Sequence, residues 1–344
     1  YTNGNLQFNS GVTDLGFIDI AGGNNRSLIG QLRNEGTIIQ SSTGGTFLNS
    51  AALVNATGGV YEIQRGSLSP AGGFFNFINQ AGATFRKTSG SNAFVDVHLT
   101  NETGGVLEVQ DGRLDFTRTS TFHDTTFDVA TDARLRLYNQ NYNFTGDTVG
   151  VGGGTIEHIQ NVTWNFATGS TIDFPEGMFV YTNGNLQFNS GVTDLGFIDI
   201  AGGNNRSLIG QLRNEGTIIQ SSTGGTFLNS AALVNATGGV YEIQRGSLSP
   251  AGGFFNFINQ AGATFRKTSD SNAVVDVHFT NEADGVVRVD EATLNFTRSF
   301  TTAGQVVVGS GMSLATLNAP GHYNQTAGVT TLDNGRIVAN NANI

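Results

Sequence analysis

The chain is predicted to be an all-β parallel solenoid. Three observations carry that expectation: a long internal duplication, a shorter period nested inside it, and strand-like alternation without any helix-length pattern. Residues 1–89 recur without a substitution as residues 181–269, a spacing of 180. An in-line copy of that size suits solenoids and arrays, where each repeat touches only its neighbours, and rarely suits a compact enzyme.

The shorter period is visible in four segments: Leu32-Arg-Asn-Glu-Gly-Thr-Ile-Ile39, Leu53-Val-Asn-Ala-Thr-Gly-Gly-Val60, Phe77-Ile-Asn-Gln-Ala-Gly-Ala-Thr-Phe85 and Leu99-Thr-Asn-Glu-Thr-Gly-Gly-Val106. Each has an apolar residue, then Asn, then Gly, then a second alternating stretch. The asparagines Asn34, Asn55, Asn79 and Asn101 are 21, 24 and 22 residues apart. At about 22 residues per step, a 180-residue unit holds about eight steps. Val106-Leu-Glu-Val109, Leu114-Asp-Phe116, Leu135-Arg-Leu137 and Ile172-Asp-Phe174 alternate apolar and polar residues, as half-buried strands do. No stretch keeps apolar residues at i, i+3, i+4 and i+7 without a Gly or Asn breaking it. Each step therefore reads as one coil of a parallel β-helix: short strands joined by Gly/Asn turns, with the next coil hydrogen-bonded above. The 25 phenylalanines, with Val, Leu and Ile, should fill the bore. The asparagines at matching turns should stack as ladders that satisfy backbone groups.

Beyond Ser89 and Ser269 the copies drift, and the drift reports on orientation. Phe94, Leu99 and Leu107 become Val274, Phe279 and Val287 and stay apolar, as inward positions should. Gly104, Glu108 and Asp115 become Asp284, Arg288 and Asn295, as water-facing positions can. Leu114 and Phe116, matched by Leu294 and Phe296, are expected inside. Three regions follow: a first super-repeat over 1–180, a second copy over 181–298, and diverged coils over 299–344 that continue the solenoid with a changed cross-section. Tyr181 follows Val180 in mid-pattern, so the chain, which starts at the same Tyr, is read as a segment of a longer protein.

Composition narrows the function. Net charge is −10 with 13% charged residues, against nucleic acid as a partner, since phosphate binding needs clustered Lys and Arg. Gly numbers 48, Asn 36 and Pro only 4, a backbone that turns often and keeps its N–H groups for pairing. Cys is absent, so there is no disulfide scaffold and no thiolate metal site. Apolar runs such as Val306–Val308 are too short to span a bilayer.

The Leu-x-Asn-x-Gly-x-Ile and Leu-x-Asn-x-x-Gly-Gly-Val patterns resemble repeats of bacterial filamentous-haemagglutinin-like adhesins and other giant surface proteins. The resemblance covers roughly residues 27–137 and 207–297. It departs from that family in its uneven coil lengths. It implies a right-handed parallel β-helix projecting from a cell.

Chemical candidates are weighed against plainer roles. The acidic residues Asp14, Asp19, Glu35, Glu62, Asp96, Asp111, Asp115, Asp124 and Asp128 are scattered, and Asp115 is Asn295 in the copy. His98 and His278 are equivalent and read as hydrogen-bonded strand residues; His123, His158 and His322 lack partners at ligand spacing. Gly150-Val-Gly-Gly-Gly-Thr155 lacks the Lys and helix of a phosphate loop and reads as a turn. Tyr61, Tyr138, Tyr142 and Trp164 are candidates for stacking on sugars, with core filling the favoured role for Trp164. Asn25, Asn55, Asn101, Asn143 and Asn161 carry the glycosylation triplet. The expectation is a structural fibre, stalk or adhesin segment outside the cell, with no catalytic, cofactor or metal residues. Its partners are neighbouring repeats, end-to-end or lateral copies of itself, and cell-surface glycans. The alternative is a polysaccharide-binding or polysaccharide-cleaving β-helix.

Overall fold

The computed structural model describes residues 1–343 except 9–10, 50–51, 73–74, 230–231, 254 and 311–312. Among the described residues there is no helix; strands of two to eleven residues alternate with turns. By contacts the chain divides into two compact units, Tyr1–Asn165 with Gly177–Phe179, and Phe166–Glu176 with Val180–Ile344. Each unit is a parallel β-solenoid, as the sequence predicts.

In the first unit one coil runs through three strands, exemplified by Arg26–Ile29, Leu32–Asn34 and Thr37–Gln40. Each strand pairs in parallel with its counterpart a coil later, so three ladders form. The first ladder has eight strands, from Gly4–Gln7 to Thr155–Ile159. The pairing is in register. Leu32 lies beside Leu53 and Leu53 beside Phe77; Ile38 lies beside Tyr61 and Tyr61 beside Phe85. Neighbours in such a ladder are about 4.8 Å apart, so side chains of one phase form continuous columns inside the coil.

The columns are largely aromatic. Tyr61 stacks on Phe85 at 5.5 Å and meets Phe77 edge-on at 5.0 Å. Phe122 stacks on Phe144 at 5.2 Å, and Trp164 stacks on Phe179 at 4.8 Å. The second unit repeats the pattern with Tyr241, Phe257 and Phe265, and extends it through Phe279, Phe296, Phe300 and Tyr323. Each such ring buries on the order of 150–250 Å², which makes these columns the main apolar stabilisation.

Asparagine forms a separate column. Asn34, Asn55, Asn79 and Asn101 close the second strand of successive coils, pointing inward and fully buried. Each side-chain amide donates to the carbonyl oxygen of the next: Asn34 to Asn55 at 2.7 Å, Asn55 to Asn79 at 2.8 Å, Asn79 to Asn101 at 2.7 Å. The same nitrogens also reach backbone carbonyls across the corner, at Val60, Thr84 and Val106. A Thr hydroxyl ends the column, Thr125 accepting from Asn101 at 3.0 Å. The ladder therefore sits at strand ends inside the coil rather than in the turns themselves.

The two glycines that follow Asn in the motif have separate reasons. Gly58 and Gly104 take positive φ, 81° and 79°, at the turn. A Cβ on Gly59 would lie 2.8 Å from Asn55 Oδ1, and one on Gly105 would lie 2.6 Å from Asn101 Oδ1. The second glycine is thus the room that the ladder needs.

The copies test the orientation reading. Leu99, Leu107, Leu114 and Phe116 are inside, as are Phe279, Val287, Leu294 and Phe296. Asp284 is exposed and keeps the positive φ of Gly104, at 63°. Two expectations are corrected. Phe94 points outward and is 38% exposed, because Ala93 and Val95 lie in register with the inward Leu114 and Phe116 and set the phase. Asp115 is on the outer side yet only 5% exposed, because Arg113 and Arg136 lie over it.

Sequence-identical residues also differ in burial. Val12 is 36% exposed and Val192 is 0%. In the second unit Thr171–Asp173 pairs onto Thr193 and Asp194 and covers that edge.

Replacing Asn79 by Ala removes donors to Asn101 and Val106 and leaves Asn55 without its acceptor. Denaturant unfolding should show a loss of about 2–4 kcal/mol. Asn76→Ala, at an exposed position of the same strand, should cost less than about 0.5 kcal/mol.

Candidate functional site

The acidic candidates are dispersed over the outer surface, the turns and one strand end, and most have partners. Glu35 pairs with Arg33 at 2.6 Å and Asp96 with Arg118 at 2.9 Å. Asp14 accepts from the Gly16 N–H at 3.0 Å, and Asp19 from the Ser41 hydroxyl at 3.0 Å. Burial works to raise the Glu62 carboxyl, but hydrogen bonds from Gln64, Thr88 and Arg86 outweigh it and hold the group below its ordinary range. For Asp115 the balance is reversed: burial dominates and pushes the carboxyl up despite Arg113 and Arg136. Asp124, exposed at the register shift within the strand Ser120–Val129, is held down by the Thr103 hydroxyl and the Asp147 N–H. Asp111 is exposed, and Asp128 stands beside Glu108 in register on the outer side. In the copy the place of Glu108 is Arg288, next to Val307. Among the described residues no three His, Asp or Glu side chains gather as a metal site would require.

His98, His123 and His278 are hydrogen-bonded strand residues, as expected for the equivalent pair His98 and His278. His98 Nδ1 lies 2.9 Å from the Thr119 carbonyl, and His278 Nδ1 lies 2.6 Å from the Ser299 hydroxyl. His123 Nδ1 meets the Thr145 hydroxyl at 2.6 Å. His158 is buried against Trp164, with ring centroids 5.2 Å apart, and His322 is exposed.

Three of the four sugar-stacking candidates are core. Tyr61, Tyr142 and Trp164 have no exposed surface. The Tyr61 hydroxyl donates to Gln40 at 2.7 Å and that of Tyr142 to the Phe116 carbonyl at 2.6 Å. Tyr138 alone is half-exposed, and the Arg136 guanidinium covers its ring. In the glycine run, Gly150 and Val151 finish a strand and Gly152–Gly154 make the bend before Thr155, so the turn reading stands. Of the glycosylation triplets, Asn55 and Asn101 are buried rungs of the ladder and closed to modification; Asn25 and Asn161 are exposed.

The structure adds groups that composition and motifs miss. Lys87 and Lys267 are fully buried. The Lys87 ammonium donates to the Ser89 and Asp111 carbonyls, and burial pulls it down to about 8 against the attraction of the Asp111 carboxylate. Two coils earlier, in register through Ile63, Gln40 donates to the Arg65 and Ser67 carbonyls at a comparable corner. The signal was available: Lys87 has the inward phase of Phe85. Arg26 and Arg206 are likewise buried, and Arg26 donates to the Thr2 carbonyl and the Ser42 hydroxyl.

Two equivalent open troughs lie 180 residues apart. One is bordered by Val12, Leu32, Arg33 and Val54 and encloses about 320 Å³; the other, by Val192, Leu212, Arg213 and Val234, encloses about 190 Å³. At each, the arginine is held by a glutamine, Gln80 or Gln260, at 3.1 Å.

No protein-family model, curated protein or solved structure matches the chain. No helix among the described residues is long and apolar enough to cross a membrane.

Lys87→Gln should be tolerated to within about 1 kcal/mol, since glutamine serves the equivalent corner at position 40. Lys87→Leu leaves the Ser89 and Asp111 carbonyls without the ammonium donor and should cost about 2–3 kcal/mol in thermal or denaturant unfolding.

Proposed function

We propose that the chain is a structural segment of an extended extracellular or cell-surface fibre, stalk or adhesin, working without a catalytic centre. One observation carries this reading. The shared residues build the same coil twice: Thr37–Gln40 recurs as Thr217–Gln220, Val60–Ile63 as Val240–Ile243, and the asparagine ladder as Asn214, Asn235, Asn259 and Asn281. Nearest-neighbour contacts supply the stability of such a module, so copy number sets length without altering the fold. Backbone ladders along the axis resist extension, and the packed aromatic columns resist bending. The likeness to filamentous-haemagglutinin-type repeats agrees with this role.

A second reading rests on the two troughs. An arginine held at the edge of an open trough in each unit suits a binder of acidic glycans, in which Arg33 and Arg213 would each meet an anionic sugar in its own unit.

Deleting residues 90–269 joins Ser89 to Asp270, the neighbour Ser269 already has. The shortened protein should unfold cooperatively. By small-angle scattering it should be shorter by roughly 38 Å, the rise of about eight coils. Failure to fold, or an unchanged length, overturns the fibre reading. Binding of acidic polysaccharide that Arg33→Ala with Arg213→Ala abolishes turns the assignment to the second reading.

A further inference from the structure

The asparagine ladder of the second unit begins on an acid. Asp194 lies in register with Asn214 and takes the inward position that Asn occupies in the next four coils. It is fully buried. Its Oδ1 accepts from the Gly196 N–H at 3.3 Å, while its Oδ2 is buried with no hydrogen-bond partner.

Asn214 presents the complementary vacancy. Its amide nitrogen donates to Asn235 Oδ1 at 2.7 Å and to the Val240 carbonyl at 3.1 Å, which fixes the orientation of the side chain. Its Oδ1 is left buried and without a donor. Flipping the amide would offer an N–H to Asp194 but would sacrifice both of those bonds. Two buried acceptors on adjacent rungs, one of them a carboxylate, repel each other; a single proton between them satisfies both.

We propose that Asp194 is a protonated carboxylic acid at neutral pH that donates to Asn214 Oδ1, closing the ladder at its first rung and making this coil less stable as pH rises from the acid range through neutrality. The surroundings agree. Burial pushes the carboxyl up to about 8, the Gly196 N–H opposes this, and the negative charge of Asp173 on the preceding strand adds to it. Arg213 and Glu215, flanking Asn214, lie on the outer side and pair with each other at 2.5 Å.

The sign follows from linkage. An acid whose pKa is raised on folding binds its proton more tightly in the folded state. Its contribution is full below the unfolded carboxylate range and is lost as pH rises toward about 8. Within that window each pH unit should lower the folding equilibrium constant by about tenfold through this group alone.

The test is Asp194→Asn, whose amide donates to Asn214 Oδ1 at every pH. The first copy holds the same pair, Asp14 Oδ2 and Asn34 Oδ1, with Asp14 part-exposed. Both proteins therefore carry Asp14→Asn, so the readout belongs to Asp194. Urea unfolding across pH 5 to 8 should show the parent losing stability relative to Asp194→Asn by about tenfold per pH unit. Infrared spectroscopy at pH 7 should show a protonated-carboxyl C=O band in the parent that Asp194→Asn lacks. Parallel pH profiles together with no such band overturn the proposal and mean that Asp194 is ionised, its partner then being a buried water. The infrared measurement on the parent stands even if the variant folds poorly.

Discussion

In-register parallel pairing places every inward side chain beside its counterpart one coil earlier. That constraint turns a chain of short strands into columns, and each column must be filled by groups that tolerate their own kind as neighbours. Aromatic rings do so by stacking or meeting edge-on, as Phe257, Phe279 and Phe300 do. Primary amides do so by donating to one neighbour and accepting from the other, as Asn55 does between Asn34 and Asn79. A lone charge cannot repeat in this way. Lys87 and Arg26 accordingly appear as single members of otherwise apolar or uncharged columns, their N–H groups taken up by backbone carbonyls at the corner.

The same constraint explains what was legible in the residues. The spacing of Asn34, Asn55, Asn79 and Asn101 revealed both the coil length and the ladder, because a polar column announces itself against apolar neighbours. The alternation of Leu114 with Phe116 and of Leu294 with Phe296 revealed the strand phase. Phe94 misled for a related reason. Apolar conservation between two copies cannot separate a core residue from an exposed aromatic, and the small Ala93 was the true inward residue. The sugar-stacking candidates misled because side-chain chemistry alone says nothing of phase: Tyr61 is inward in register with Phe85, Tyr142 in register with the buried Ser120, and Trp164 is packed against Phe144 and Phe179.

The buried polar groups needed structure for another reason. Lys87 lies in a recognisable inward phase, but the carbonyls that accept its protons belong to Ser89 and to Asp111 of the following coil, and that junction exists only after folding. The outer residues are similar. Asp115 looked water-facing by its replacement with Asn295, yet Arg136, one coil on, closes over it. No spacing rule within a strand reports a cover supplied by the next coil.

Within each unit the ladder amides all point one way, each N–H toward the later coil and each carbonyl toward the earlier one. The column is therefore a line of parallel dipoles, with a carbonyl end at Asn214 and an N–H end at Asn281, where the Thr302 hydroxyl accepts. Such a line has a direction, as a helix does. The group that begins it must give a hydrogen, and the group that finishes it must accept one. A coil can join the row only with its chain running the same way as its neighbours; turned end for end, it would set carbonyl against carbonyl at one boundary and N–H against N–H at the other.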